Sequence, residues 1–276
     1  MADLPPLREV IRTAGLEADK RLGQHFLLDL NLTARIARAA GPLDHGTTIE
    51  VGPGPGGLTR ALLMTGAAKV VAIEKDRRMV AALAPLITAA AGRLEVVEAD
   101  ALTIDPATLG PPPHRIVANL PYNVGTAMLV GWLQRMPQWE SLTLMFQREV
   151  ALRIVAPPRG EEFGRLAVLA QSVATARLLF DIARTAFVPP PKVTSAVVRL
   201  EPKPALDAGF LKALEAVTGA AFGQRRKMLR QSLKSLGVDV ESLLAAVSIE
   251  ATRRAETLEI AEFHALAAQL RQMRAG

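Results

Sequence analysis

Cysteine is absent from this chain, which excludes disulfides, thiolate metal sites and cysteine nucleophiles at once. The absence also suits a reducing cytoplasm. Histidine is scarce: His25, His45, His114 and His264 stand far apart, without the spacing that puts two ligands on one helix face, so no metal is expected. No apolar run reaches the roughly 18 residues that a membrane span requires. Residues 1–10 carry charge and two prolines where a signal peptide needs an apolar stretch. A soluble, cytoplasmic protein with no membrane partner is therefore expected.

What is present is an ordinary globular composition, 50% hydrophobic and 22% charged. The 276 residues suffice for one medium domain and a smaller one, because single cores stop growing at about 250–300 residues. A formal net charge of +6 and a sequence pI near 10.0 favour a polyanionic partner.

Short β-rich runs at 48–51, 70–74, 94–98, 116–119 and 142–146 alternate with helical periodicity, the pattern of βαβ units in a largely parallel sheet. Asp76 is placed to cap a helix through Met79, Val80, Leu83 and Leu86, which Gly92 can end. Two further β-type runs, 177–182 and 195–200, are separated by a Pro-rich loop with no helix, which fits an antiparallel hairpin at the sheet edge. Glu201-Pro202-Lys203-Pro204 reads as a linker, and the pattern beyond it is helical, with Gly237 as a break. The expected fold class is α/β: a catalytic domain over 1–204 with a mostly parallel seven-stranded sheet, then a small all-α domain over 205–276.

The stretch Glu50-Val51-Gly52-Pro53-Gly54-Pro55-Gly56-Gly57 follows a strand and opens a helix, the context a nucleotide-binding turn requires. Pro53 and Pro55 lack N–H groups, so the loop has fewer donors than a pyrophosphate cradle wants. A cofactor without phosphates fits better, and S-adenosylmethionine is one. Glu74 ends the next strand 22 positions after Gly52, where a carboxylate can accept both hydroxyls of a ribose. Asp100, followed by Ala101, ends the third strand, where it can accept from an adenine amine. Taken singly, each acid also fits a solvated strand end and the glycines a bare tight turn; their succession on neighbouring strand ends favours the cofactor.

Asn119-Leu120-Pro121-Tyr122 ends the fourth strand, at the edge where α/β folds bind ligands. An adenine amine is a poor nucleophile because its lone pair is delocalised into the ring. Two well-aimed acceptors can hold its hydrogens and favour a pyramidal nitrogen. Asn119 offers a side-chain carbonyl, Leu120 a backbone carbonyl held by the stiff Pro121, and Tyr122 a ring to stack on the base. Positioning and preorganised dipoles then suffice, with no obligatory general base before methyl transfer.

This ordered set resembles the KsgA-type ribosomal RNA adenine dimethyltransferases over nearly the whole chain. The resemblance implies a Rossmann-like class I methyltransferase fold, S-adenosylmethionine as cofactor, and dimethylation at N6 of two adjacent adenosines in the 3′-terminal hairpin of 16S rRNA. It also implies a 30S assembly intermediate as partner and a monomeric enzyme. Gly23-Gln24-His25-Phe26-Leu27 is similar to the family's cofactor-covering motif, so Gln24, His25 and Leu27 join the cofactor set, with His25 where the family usually has Asn. Phe187-Val188-Pro189-Pro190-Pro191-Lys192-Val193-Thr194-Ser195-Ala196-Val197-Val198 resembles the proline-rich segment bordering the target base, and the resemblance gives Phe187 the face opposite Tyr122. A stacked base cannot reach the cofactor in place, so extrusion is expected.

Positive charge concentrates in Gln224-Arg225-Arg226-Lys227-Met228-Leu229-Arg230 and continues to Lys234. On one helix, Arg226, Arg230 and Lys234 would fall at steps of four beside an apolar stripe of Leu229, Leu233 and Leu236. That face suits phosphates, with Lys20 and Arg21 as further contacts, although a charge run also fits a plain solvated face. Three other readings stay open: a large-subunit rRNA adenine methyltransferase, a ribosome-assembly factor acting mainly by binding, and an NAD-dependent dehydrogenase, which Pro53 and Pro55 disfavour.

Overall fold

The computed structural model describes residues 4–16 and 24–275. Among the described residues there are nine strands: β1 (Phe26–Leu27), β2 (Thr47–Val51), β3 (Val70–Glu74), β4 (Leu94–Glu98), β5 (His114–Asn119), β6 (Trp139–Gln147), β7 (Ala174–Ile182), β8 (Phe187–Val188) and β9 (Ser195–Pro202). Seven of them form one sheet in the order β4-β3-β2-β5-β6-β9-β7. The pairs from β4 through β6 are parallel, and β9 lies antiparallel to β6. The fold is thus an α/β, mostly parallel seven-stranded sheet accompanied by a helical region, as the alternation of runs predicts.

The central strands β2 and β3 are buried at every position. Val70-Val71-Ala72-Ile73 reads as an unbroken apolar run for that reason, since helices cover both faces of a parallel sheet. The helix Gly57–Met64 follows β2 directly, and its Leu58, Ala61 and Leu62 join Val70, Ala72 and Val117 in one core. Five parallel strands therefore end together on one edge, and the order reverses between β2 and β5, the switch point where such sheets bind ligands.

The chain divides into two compact units. The first comprises 1–131, 137–151 and 177–201; the second comprises 132–136, 152–176 and 202–276. The second has its own core, in which Phe163, Phe222 and Phe263 form a ring cluster with centroids 5.5–6.4 Å apart. Aromatic groupings at that spacing add to what area burial alone supplies. No helix among the described residues is long and apolar enough to cross a membrane.

Two expected helices are broken. Asp76 caps as expected, accepting from Arg78 N at 3.1 Å, yet the helix is two short ones, Arg77–Ala82 and Ala84–Ala89. Pro85 has no N–H to continue the ladder, so the chain turns at Leu83. The basic stretch likewise forms no single helix. The helix Ala208–Gly223 ends before the cations, Arg225 and Arg226 lie in a turn, and Met228 bridges Arg254 in extended geometry. A four-residue helix, Leu229–Ser232, then gives way to a tighter turn, Leu233–Leu236. The apolar stripe holds nonetheless: Leu229, Leu233 and Leu236 are all buried.

Candidate active site

The expected site residues converge on one cavity at the carboxyl edge of the sheet. Gln24, His25, Leu27, Gly52, Gly54, Glu74, Asp100, Ala101, Asn119, Leu120, Pro121 and Tyr122 all line it. Phe187 does not; it is 2% exposed and packed beneath the neighbouring wall. Lys20 and Arg21 lie outside the described residues. Arg225, Arg226, Lys227, Arg230 and Lys234 belong to the second unit, and all five are exposed.

The glycine turn spends its donors on its own chain. Gly52 N donates to Ile73 O at 3.0 Å, Gly54 N to Glu74 Oε2 at 3.2 Å and Gly56 N to Pro53 O at 3.0 Å. Pro53 and Pro55 have none to offer, so residues 52–56 leave no backbone donor for a phosphate. The turn is nevertheless tight: Gly52, Gly54 and Gly56 all sit at positive φ, from 53° to 88°. A Cβ on Gly52 would meet nothing within 4 Å, so the backbone there borders open space. A Cβ on Gly57 would stand 2.5 Å from Leu27 O, which shows how closely β1 lies over the start of the helix.

Acidic groups surround this turn. Each oxygen of Glu74 accepts one backbone N–H, from Asp76 at 2.9 Å and Gly54 at 3.2 Å, leaving lone pairs on both. Burial pushes the Glu74 carboxyl up, against those hydrogen bonds. Asp100 accepts from Leu102 N at 3.0 Å and faces Lys75 Nζ at 3.4 Å. Sequence reasoning missed Glu50, which is 1% exposed in the middle of β2 and lines the same cavity. Burial pushes it to about 8, and the nearby Glu74 charge adds to the rise. Its position between Ile49 and Val51, two residues before Gly52, was the available signal.

At the end of β5 the Asn119 amide is oriented. Its Nδ2 donates to His25 O at 3.0 Å, so its Oδ1 is the atom left to accept, and no described residue donates to it. The Leu120 carbonyl also accepts no hydrogen bond among the described residues. Two unused acceptors thus sit side by side, with the next carbonyl, Pro121 O, taken by Val124 N and Gly125 N. Tyr122 Oη shares a 2.5 Å hydrogen bond with Ser195 Oγ, a fully buried hydroxyl that begins β9. The sequence placed Ser195 in the proline-rich motif but gave it no role, since nothing local to it announces a partner 73 residues away.

The small sheet of β1 and β8 was not expected either. Phe26 pairs with Val188 and Leu27 with Phe187, antiparallel, which ties the Gln24-His25 stretch to the proline-rich segment.

The ribosomal RNA adenine dimethylase profile matches residues 15–272, nearly the full chain. The chain belongs to that family. It is accordingly a methyltransferase, and curated relatives agree. Ribosomal RNA small subunit methyltransferase A of Azorhizobium caulinodans is 61% identical, over 99% of this chain and 96% of its own. The Rhodopseudomonas palustris protein of the same name is 60% identical with the same coverage. Among solved structures, a dimethyladenosine transferase from Plasmodium falciparum shares the fold, with a TM-score of 0.75 over 88% of this chain and 96% of its own at 24% identity. The 23S rRNA methyltransferase ErmE gives 0.68, covering 89% and 99%, at 27% identity.

Proposed function

We infer that this methyltransferase uses S-adenosylmethionine to dimethylate N6 of two adjacent adenosines in the 3′-terminal hairpin of 16S rRNA, acting in the cytoplasm as a monomer on a 30S assembly intermediate. The observation that carries the reading is the pair of unused acceptors, Asn119 Oδ1 and Leu120 O, beside a cavity whose glycine turn has no phosphate donor to give.

The residues present fit the cofactor. Glu74 has lone pairs for two ribose hydroxyls, Asp100 and Ala101 border the place for its adenine, and Glu74 sets negative charge against a cation. Gly52 leaves backbone room, while Gln24, His25 and Leu27 cover the turn. When bound, S-adenosylmethionine supplies an electrophilic methyl on a sulfonium. Asn119 Oδ1 and Leu120 O accept the two amine hydrogens of the target adenine, which turns the nitrogen lone pair out of the ring plane. Tyr122, held by Ser195, sets the plane in which the base lies. These dipoles are in place before the base arrives, so little reorganisation remains to be done. The nitrogen would take the methyl as the sulfur–methyl bond breaks, its electron pair staying on sulfur as a neutral thioether, and would give up one proton to water; the monomethyl product would keep one N–H for a second round.

Phosphates are met by exposed cations of the helical unit. Arg226, Lys227, Arg230 and Lys234 offer charge, and Arg225 also donates to Glu161 O. Arg254, brought alongside by its bridge to Met228, adds a cation the linear sequence hides.

The deciding experiment gives the protein undermethylated small subunits and free large-subunit RNA, each with labelled cofactor, and maps the product. Dimethyladenine in the small-subunit hairpin is expected. No label at adenine removes the proposal, and label only in large-subunit RNA replaces the substrate.

A further inference from the structure

The first unit holds a second pocket, lined by Arg8, Leu28, Asp29, Thr185, Ala186 and Val188. It opens at Leu28, one residue past β1, while His25 on the other side of β1 lines the catalytic cavity. From His25 to Leu28 the extended chain covers at most about 10 Å. Stacked nucleotides advance about 3.4 Å each. A strand that delivers its base to Asn119 and Leu120 therefore reaches this pocket within about three nucleotides of that base.

The polar groups of the pocket are held in place and left without partners. In the helix Leu7–Thr13, Leu7 is buried against Gly57, and Arg60 Nη1 donates to Pro5 O at 2.7 Å just before it. That anchorage fixes the backbone of Arg8, whose exposed guanidinium has no hydrogen bond or ion pair among the described residues. Asp29 caps the helix Leu30–Ala39 with one oxygen only. Its Oδ1 accepts from Asn31 N at 2.8 Å and Leu32 N at 3.3 Å, and its Oδ2 accepts nothing among the described residues. The Thr185 hydroxyl is likewise unpartnered among them, and Val188 is 46% exposed.

An arginine and a carboxylate thus share one pocket without pairing, which leaves room for a ligand that is anionic at one point and carries a hydroxyl at another. A ribonucleotide has that form. Its phosphate suits a guanidinium, whose donors match two oxygens at once. Its 2′-hydroxyl can donate to a carboxylate, and that hydroxyl is what separates RNA from DNA at a protein site. We propose that this pocket binds a ribonucleotide of the substrate strand flanking the target adenosines, with Arg8 on its phosphate, Asp29 Oδ2 on its 2′-hydroxyl and Val188 against its sugar. The proposal rests on the methyl-transfer reading above. The Asp29 charge repels a phosphate placed beside it, so the anion is confined to the Arg8 side and the nucleotide has one orientation.

The test measures methyl incorporation against the concentration of undermethylated small subunits over a range of salt, for wild type, Arg8→Ala, Arg8→Lys and Asp29→Asn. A second set of subunits carries 2′-deoxy sugars at the three nucleotides on either side of the target pair. Arg8→Ala is expected to raise KM for subunits about three- to tenfold and to flatten its salt dependence by about 0.7–0.9 in slope. Arg8→Lys keeps the charge and should keep the slope. The deoxy sugars should raise the wild-type KM about three- to tenfold and cost Asp29→Asn nothing further, because that variant keeps the cap but has lost the acceptor. Additive losses from the deoxy sugars and Asp29→Asn, or an unchanged KM in Arg8→Ala, would overturn the assignment. A raised KM with an unchanged salt slope would put a ribosomal protein in the pocket in place of RNA, and would overturn it too. Wild type that labels no adenine removes the methyl-transfer reading itself, whereas an active wild type with the wrong variant pattern sinks the pocket alone.

Discussion

The two units of this chain arrange their candidate ligand groups in opposite ways. In the first, function is assembled from buried or half-buried groups whose hydrogen bonds are nearly all assigned: Glu74 holds Gly54, His25 holds Asn119, and Ser195 holds Tyr122. In the second, five cations lie exposed on a turn and a short helix, and among the described residues only Arg225 of these has its side chain anchored to a carbonyl. A single lost atom in the first should disturb geometry that nothing else restores. A lost charge in the second should subtract one increment from a sum.

The contrast breaks if substitutions in the two units cost the same. Asn119→Ala carries the largest expected effect, a fall in kcat of about 10²–10³-fold, because a preorganised acceptor is removed where the amine reacts. Single-turnover methylation of small subunits measures it, and a loss below tenfold would contradict the assigned acceptor. Glu74→Gln should weaken S-adenosylmethionine by about ten- to a hundredfold, since a charged acceptor becomes a neutral amide. Calorimetric titration reads that change directly.

Ser195→Ala should lower kcat/KM about three- to tenfold, the range of one hydrogen bond lost to a neutral partner. The same change in a Tyr122→Phe background should cost nothing further, and additive losses would show that Ser195 acts by another route. Alanine at Arg226, Lys227, Arg230 or Lys234 should each weaken RNA binding only a few-fold. Each is expected to flatten the salt dependence by about 0.7–0.9 in slope, and slopes that do not change would mean that these cations meet no phosphate.

The smallest effect concerns stability. Burial raises Glu50 from its ordinary 4.5 to about 8, so the fold favours its protonated form. Its contribution is complete below pH 4.5 and is lost as pH rises through about 8. Glu50→Gln cannot ionise, so its melting temperature should gain on wild type by a few degrees between about pH 5 and pH 9. A constant difference across that range would refute the buried, uncompensated carboxyl.

The sheet was legible because its strands are short apolar runs bounded by turns. Val70 to Glu74 and Leu94 to Glu98 coincide with their predicted limits, and the ends of these strands carry the acids. That these residues would come together in one cavity was legible for the same reason, since Gly52, Glu74, Asp100 and Asn119 end or follow strands at a common edge. What escaped depends on contacts distant in sequence. Two-residue strands such as β1 and β8 have no periodicity to read, and only their pairing fixes His25 near Pro189. The single basic helix failed because side-chain spacing says nothing about Met228 finding Arg254. The break at Leu83 was readable, as Pro85 stood in plain view inside the predicted helix.

The self-sufficient glycine turn has an outcome for the enzyme at work. A cell holds nucleoside triphosphates in abundance, and their adenosine half offers the same ring and ribose as the methyl donor. With Gly52, Gly54 and Gly56 already committed and Glu74 adding negative charge, a triphosphate arriving here meets repulsion and no compensating donor from that loop. Methylation can then track the supply of methyl donor without being throttled by the energy charge of the cell.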